Sequence, residues 1–275
     1  MRMARVVGVH GIFQYKYHSH PEVLGALWES PLVMQSVVED GQFSLAYYAD
    51  VLHRVISMGD DVFDDVSDAE RTIARVWLDQ LEIPQVTAQG RLTAPLRDVI
   101  DWCISTGTLR GATRALVRSA LREVAAYLDV DDPTSRRAAR TRVADLIRAE
   151  QPDVVIAHSL GSVVAYETLW EHSDLVVPSL ITVGSPLALS GAFYDSLDPV
   201  DARAHSRPPN VGRWLNIADI GDLVAVPKDL ASRFSGVDEQ IAVEIDEFEC
   251  HKITSYLQCP TVADAIRAEL QRSEA

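Results

Sequence analysis

Ser159 sits at an abrupt change in the character of the chain. Residues 153–157, Asp-Val-Val-Ile-Ala, include an apolar, β-branched run with the composition of a strand buried on both faces. Residues 162–169 read as helix, and only His158, Ser159, Leu160 and Gly161 lie between the two. No polar loop softens the passage. A strand turning this sharply into a helix lifts the serine hydroxyl above the sheet edge. There it meets the free N–H groups and positive potential of a helix N-terminus. The turn needs small residues two before and two after the serine, and Ala157 and Gly161 hold those places. The pattern predicts a nucleophilic hydroxyl at a tight elbow. An ordinary Ser-Leu-Gly turn is the plainer alternative.

A serine that attacks a carbonyl also needs N–H donors for the oxyanion. One follows directly from the elbow, the Leu160 N–H. A second is expected from the end of the apolar run 5–9, which closes in His10-Gly11-Ile12-Phe13. Gly11 allows the backbone to swing an N–H, that of Ile12, toward the reacting carbonyl. Each such donor contributes about 3 kcal/mol in the transition state. This stretch carries neither GxGxxG nor GxxxxGK[ST], so dinucleotide and P-loop readings fail.

The general base is expected at His251, in Glu-Cys-His-Lys, the one histidine beyond the candidate acids Asp219 and Asp222. Without the rest of the constellation, a lone loop histidine would read as solvated. His158 and His10 are expected to support their own turns. His18 and His20 have a metal-like spacing but no convincing partners. His53, His172 and His205 read as surface or packing residues.

These groups need a scaffold that brings distant parts of the chain to one edge. Strands are predicted over 5–9, 43–48, 154–157, 180–183, 214–217 and 241–245, separated mostly by helical patterns. Such alternation specifies an α/β fold with a mostly parallel sheet covered by helices. Helices are predicted over 68–81, 95–104, 109–128 and 133–150. The chain reads as a single domain, 1–275, with a helical insertion over 85–130. That insertion would be a lid over a ligand, extra core, or an interface.

The length of 275 residues and a hydrophobic content of 47% suit one large α/β domain and argue against disorder. A net charge of −15 disfavours nucleic acid and anionic membrane as partners. No run of about 18 apolar residues is present, so no stable membrane insertion is expected. The N-terminus lacks signal-peptide features, which makes a cytoplasmic location the default expectation. The acidic stretch 59–65 reads as a solvated face rather than a calcium loop. Cys103, Cys250 and Cys259 fit neither a disulfide framework nor a zinc site. Nothing in the sequence sets an oligomeric state.

Three segments together resemble the α/β-hydrolase superfamily in its lipase/esterase-like branch: His10-Gly11-Ile12-Phe13, Ala157-His158-Ser159-Leu160-Gly161 and Gly184-Ser185-Pro186-Leu187. The stretch Trp214-x-Asn216-x-x-Asp219-x-x-Asp222 is similar to one in actinobacterial lipase-like hydrolases labelled serine peptidases. The resemblance runs from Arg5 to about Tyr256, with Ala157 where glycine is commoner. It implies an α/β-hydrolase fold with an N-terminally shortened sheet. It also implies the chain order serine, acid, histidine, with Asp222 as the acid and Asp219 in reserve.

The expected reaction is cleavage of a small-molecule ester or lipid-like substrate through an acyl-enzyme on Ser159. No metal or organic cofactor is needed for it. Apolar residues of the insertion (Leu96, Ile100, Trp102, Leu109, Leu116), with Phe13, Tyr15 and Tyr17, would suit a hydrophobic acyl group. Acyltransfer and thioester hydrolysis would use the same residues. A binding or regulatory module of the same fold is the non-catalytic alternative.

Overall fold

The computed structural model describes residues 5–53, 70, 72–74, 114–199, 205–222, 224–225, 227–245 and 251–273. Its centre is a sheet of six parallel strands: β1 (Val6–Val9), β2 (Phe43–Ala46), β3 (Val154–His158), β4 (Val177–Val183), β5 (Val211–Asp219) and β6 (Glu239–Val243). Their order across the sheet is β2-β1-β3-β4-β5-β6, and every pairing is parallel.

Helices cover both faces, and the period of two within each strand explains why. Val7, Val9, Val155, Ala157, Leu180 and Trp214 point to one face. They pack there with residues of α3 (Arg114–Leu128), α4 (Thr134–Glu150) and α5 (Leu160–Glu171). Val6, Val154, Ile156, Ile181, Val183, Leu215 and Ile217 point to the other. That face is covered by α1 (Pro21–Met34), α6 (Ile253–Gln258) and α7 (Pro260–Ser273). With both faces apolar, the central strands lose no stability by being sandwiched, and each buried Val, Leu or Ile contributes about 1.5–3 kcal/mol. A short helix, α2 (Ala49–Leu52), follows β2.

Strand boundaries depart from the sequence reading for local reasons. The second strand stops at Ala46 rather than residue 48, because the Tyr48 N–H donates to His10 Nε2 instead of joining the ladder. The fourth begins at Val177, ahead of Pro178, because the Val177 N–H donates to the Asn210 carbonyl at 3.0 Å. The fifth and sixth begin at Val211 and Glu239, earlier than predicted. The helix after Ser159 starts at once, at Leu160. Most of the predicted 68–81 helix and all of 95–104 fall outside the described residues. So do residues 85–113 of the insertion and the 59–65 acidic stretch; the insertion's later part is α3.

The topology itself marks a position. From β1 the chain steps outward to β2, then returns to place β3 on the other side of β1. Connections therefore diverge beyond the C-terminal ends of β1 and β3, and a parallel sheet opens a crevice at such a switch point. The His10–Phe13 segment and Ser159 follow those two strand ends.

Candidate active site

Ser159 is the residue between β3 and α5, with φ 53° and ψ −131°. A non-glycine residue held there costs on the order of 1–3 kcal/mol, and such conformations concentrate at functional sites. Several bonds hold the strained turn in place. The Ser159 N–H donates to the Val183 carbonyl at 3.0 Å, and the Ser162 hydroxyl donates to the Ser159 carbonyl at 2.6 Å. Ser162 Oγ lies 2.7 Å from Ser185 Oγ, which gives the serine of Gly184-Ser185-Pro186-Leu187 a structural task.

Packing explains the small residues. A Cβ on Gly161 would collide with the backbone carbonyl oxygens of Val9 and His10. Backbone cannot step aside as a side chain can. Gly161→Ala is expected to destabilise the protein by about 3 kcal/mol, lowering Tm by roughly 5–10 °C. A thermal melt checks this, and an unchanged melting point would contradict the tight elbow. A Cβ on Gly11 would stand 2.7 Å from Ser159 Cβ, so the loop after β1 lies directly against the serine.

His251 and Asp222 complete a hydrogen-bonded chain. His251 Nε2 is 3.0 Å from Ser159 Oγ, and His251 Nδ1 is 2.8 Å from Asp222 Oδ2. An ionised carboxylate only accepts, so Nδ1 carries the ring proton and Nε2 is left to accept from the serine hydroxyl. Gly184, at φ 57°, makes room for this pair: a Cβ there would sit 2.8 Å from Asp222 Oδ2 and 3.2 Å from His251 Nδ1.

Asp222 is fully buried, and its oxygens are well supplied with donors. Oδ1 accepts the N–H groups of Val224 at 2.9 Å and Ala225 at 3.4 Å; Oδ2 also accepts the Tyr256 hydroxyl at 2.8 Å. Burial alone would raise its pKa. The positive charge on protonated His251 and these hydrogen bonds outweigh burial and bring the carboxyl down to about 2. Asp219 plays a different part. Its oxygens accept the N–H groups of Gly221 at 2.6 Å and Ile245 at 2.5 Å, which ties the loop after β5. Of the two candidate acids, the one bonded to His251 is Asp222.

Two further residues support this chain: Tyr256, which the sequence did not single out as a site residue, and His158, expected there only to support its own turn. The Tyr256 hydroxyl accepts the Asp219 N–H at 2.8 Å while donating to Asp222, so one tyrosine joins both aspartates. His158 Nε2 donates to the His251 carbonyl at 2.9 Å, and the two rings lie 4.8 Å apart. Burial, reinforced by the charge on His251, lowers the His158 pKa to about 3, so it stays neutral beside a base that must become charged.

The Tyr256 contact has a consequence for stability. Asp222 titrates at about 2 in the folded protein against an ordinary 3.8. Its contribution is therefore fully present above about pH 4 and is lost as the pH falls through 2. Tyr256→Phe removes a donor from Asp222 and an acceptor from the Asp219 N–H. The expected loss is about 1–3 kcal/mol at neutral pH, with the acid-unfolding midpoint moved to higher pH. Acid titration followed by circular dichroism checks this; an unmoved midpoint would contradict it.

The loop carrying Ile12 is held by side chains on both sides. His10 is buried; its Nδ1–H donates to the Gly11 carbonyl at 2.7 Å and its Nε2 accepts the Tyr48 N–H at 3.1 Å. Burial, partly offset by the Gly11 bond, lowers its pKa to about 4 and keeps it neutral. The Gly11 carbonyl and the Ile12 N–H belong to one peptide unit, so the His10 ring fixes the plane of the candidate donor. The Tyr48 hydroxyl also donates to the His10 carbonyl. Among the described residues, neither the Ile12 nor the Leu160 N–H meets an acceptor. Phe13 adopts φ 67°, and its side chain is half-buried.

The remaining sequence-level candidates lie elsewhere. His18 and His20 bond to neighbours within their own segment. Among the described residues, no three His, Cys, Asp or Glu side chains are grouped to hold a metal ion. Among them also, no helix is long and apolar enough to cross a membrane. Leu96, Ile100, Trp102 and Leu109 fall outside the described residues, as does the side chain of Leu116. Comparison of the chain with protein-family models, with curated proteins and with solved structures returned no match.

Proposed function

We propose that this chain is a serine hydrolase of the α/β-hydrolase superfamily, lipase/esterase-like, acting on a carboxylic ester with a hydrophobic acyl group. The observation that supports it is the continuous hydrogen-bonded path from Asp222 through His251 to a strained, buried Ser159. A packing serine has no use for a buried ionised carboxylate two hydrogen bonds away. The chain order serine, acid, histidine and the position of the elbow at a strand C-terminus suit that superfamily. A six-stranded parallel sheet is compatible with such a fold carrying fewer than eight strands.

In the proposed reaction, His251 Nε2 takes the Ser159 proton as Oγ attacks the ester carbonyl carbon. Asp222 holds the imidazole in orientation and stabilises its positive charge. The Leu160 and Ile12 N–H groups receive the oxyanion, their free hydrogens directed at the charge that develops. The tetrahedral intermediate collapses, the C–O bond to the alcohol breaks, and His251 gives its proton to the leaving oxygen. Water, deprotonated by the same histidine, then attacks the acyl carbon; the bond to Ser159 Oγ breaks, His251 returns the proton to Oγ, and the acid leaves.

The test is turnover of p-nitrophenyl esters from acetyl to dodecanoyl by the full chain. Turnover that rises with acyl length is expected. Absence of turnover across the series, in protein shown to be folded, would contradict the reading.

A further inference from the structure

Of the buried acids that the proposed reaction leaves unused, Glu70, Glu167 and Glu269 each face an arginine; among the described residues Glu123 does not. Glu123 lies in α3 with only 4% of its surface exposed. Its Oε2 accepts the Phe13 N–H at 3.0 Å, joining the helix to the loop after β1. Burial pushes this carboxyl up to about 7, and the Phe13 bond opposes the shift only in part. Among the described residues, the titratable groups that feel its charge are Tyr47 and Tyr48, after β2, with the Asp50–Arg142 pair beside Tyr47. None of them is a cation bonded to Glu123. A leucine would fill the same space without that electrostatic cost, so the acceptor itself is what the position supplies.

What it accepts is specific. The Phe13 N–H and the Ile12 carbonyl are two ends of one peptide unit. The Gln14 amide donates to that carbonyl at 2.8 Å while Glu123 takes the N–H, so the unit is gripped from both sides. The grip also secures Phe13 in its left-handed conformation, φ 67°, which a phenylalanine does not adopt without support. The preceding peptide unit, which carries the Ile12 N–H, is fixed by His10. With both planes set, the direction of the Ile12 N–H is set too.

We propose that Glu123 is a positioning residue of the oxyanion loop, holding the Ile12–Phe13 peptide so that the neighbouring Ile12 N–H faces the reacting carbonyl. The inference rests on the serine-hydrolase reading. Glu123 touches no reacting atom, so its removal acts on transition-state stabilisation more than on substrate binding.

The experiment compares Glu123→Gln with Glu123→Leu in ester turnover and in the rate of Ser159 phosphonylation by a fluorophosphonate. Glutamine keeps an acceptor oxygen for the Phe13 N–H; leucine keeps the shape and removes it. Expected is a kcat within about threefold of wild type for Glu123→Gln. For Glu123→Leu the expected kcat is lower by roughly 10–100-fold, with KM changed less than about threefold. Full activity in both variants, equal loss in both, or a loss confined to KM would overturn the assignment while leaving the hydrolase reading intact. Wild-type protein that neither turns over nor labels would overturn both. If Glu123→Leu does not fold, hydrogen exchange at the Phe13 amide decides. Protection is expected in wild type and in Glu123→Gln, and exchange at an open-loop rate in wild type would overturn the grip.

Discussion

Ser159→Ala is expected to lower ester turnover on the order of 10⁶-fold while leaving the fold in place. The size of the effect follows from the chain of bonds. Without Oγ there is no nucleophile for His251 to activate, and the oxyanion donors alone give only weak residual catalysis. Folding should survive, because the tertiary contacts of Ser159 that hold the elbow run through its backbone N–H and carbonyl. Ser159→Gly separates the two roles more sharply. Glycine adopts φ 53° without penalty, so this variant should be as inactive as Ser159→Ala and should melt higher, by roughly 1 kcal/mol of stability. Steady-state kinetics with a thermal melt on both variants checks the pair of outcomes. A Ser159→Ala protein retaining more than about a hundredth of wild-type turnover would mean that another group attacks.

Asp222→Asn is expected to cost about 10⁴-fold in kcat near neutral pH. The reason lies in which way the amide must turn. The Val224 and Ala225 N–H groups donate to Oδ1, so the carbonyl oxygen of an asparagine would occupy that side. Its NH₂ then replaces Oδ2, so the His251 Nδ1–H, a donor, is now met by another donor. The imidazole is driven to carry its proton on Nε2, and the serine hydroxyl loses its base. Tyr256 can rotate its hydroxyl hydrogen to accept from the new NH₂, so the neighbourhood would stabilise the wrong tautomer rather than resist it. The measurement is kcat across pH 6–9 beside circular dichroism of the folded variant. A loss smaller than about tenfold would show that Asp222 does not orient the base.

How far the sequence foretold this site differs from residue to residue, for physical reasons. The elbow was legible because two constraints coincide locally: a buried strand running straight into a helix, and small residues where collision is unavoidable. His251 was legible by elimination along the chain. Residue type alone did not separate Asp219 from Asp222, since either carboxylate could turn inward; the resemblance pointed to Asp222, with Asp219 in reserve. The fold separates them by giving Asp219 two loop N–H groups to accept and Asp222 the imidazole. Glu123 was hidden for another reason. It stands between Arg122 and Val124 in a helix with several charges, where a glutamate reads as solvated surface. In the fold it is buried and bonded to the loop after β1. Tyr256 is similar: a tyrosine five residues past His251 reads as core, and its hydroxyl acquires a task only when β5 delivers Asp219 and Asp222 to it.

The sheet was read correctly as α/β, and the structure sharpens it to six strands, all parallel. Where predicted ends moved, hydrogen bonding explains it at β2 and β4. Tyr48 left the second strand because His10, at the end of the neighbouring one, offered its N–H a ring nitrogen. That single bond shortens a strand and at the same time selects the tautomer that fixes the Ile12 peptide plane. Fold and site are coupled there through one histidine.

The most direct test of the serine as nucleophile is fluorophosphonate labelling of the intact chain, with the modified residue located by mass spectrometry of its peptides. A single phosphonyl adduct on Ser159, formed at a rate that falls sharply in His251→Ala, is the expected result. Folded wild-type protein that takes no label, or takes it on another residue at a rate indifferent to His251, would contradict it.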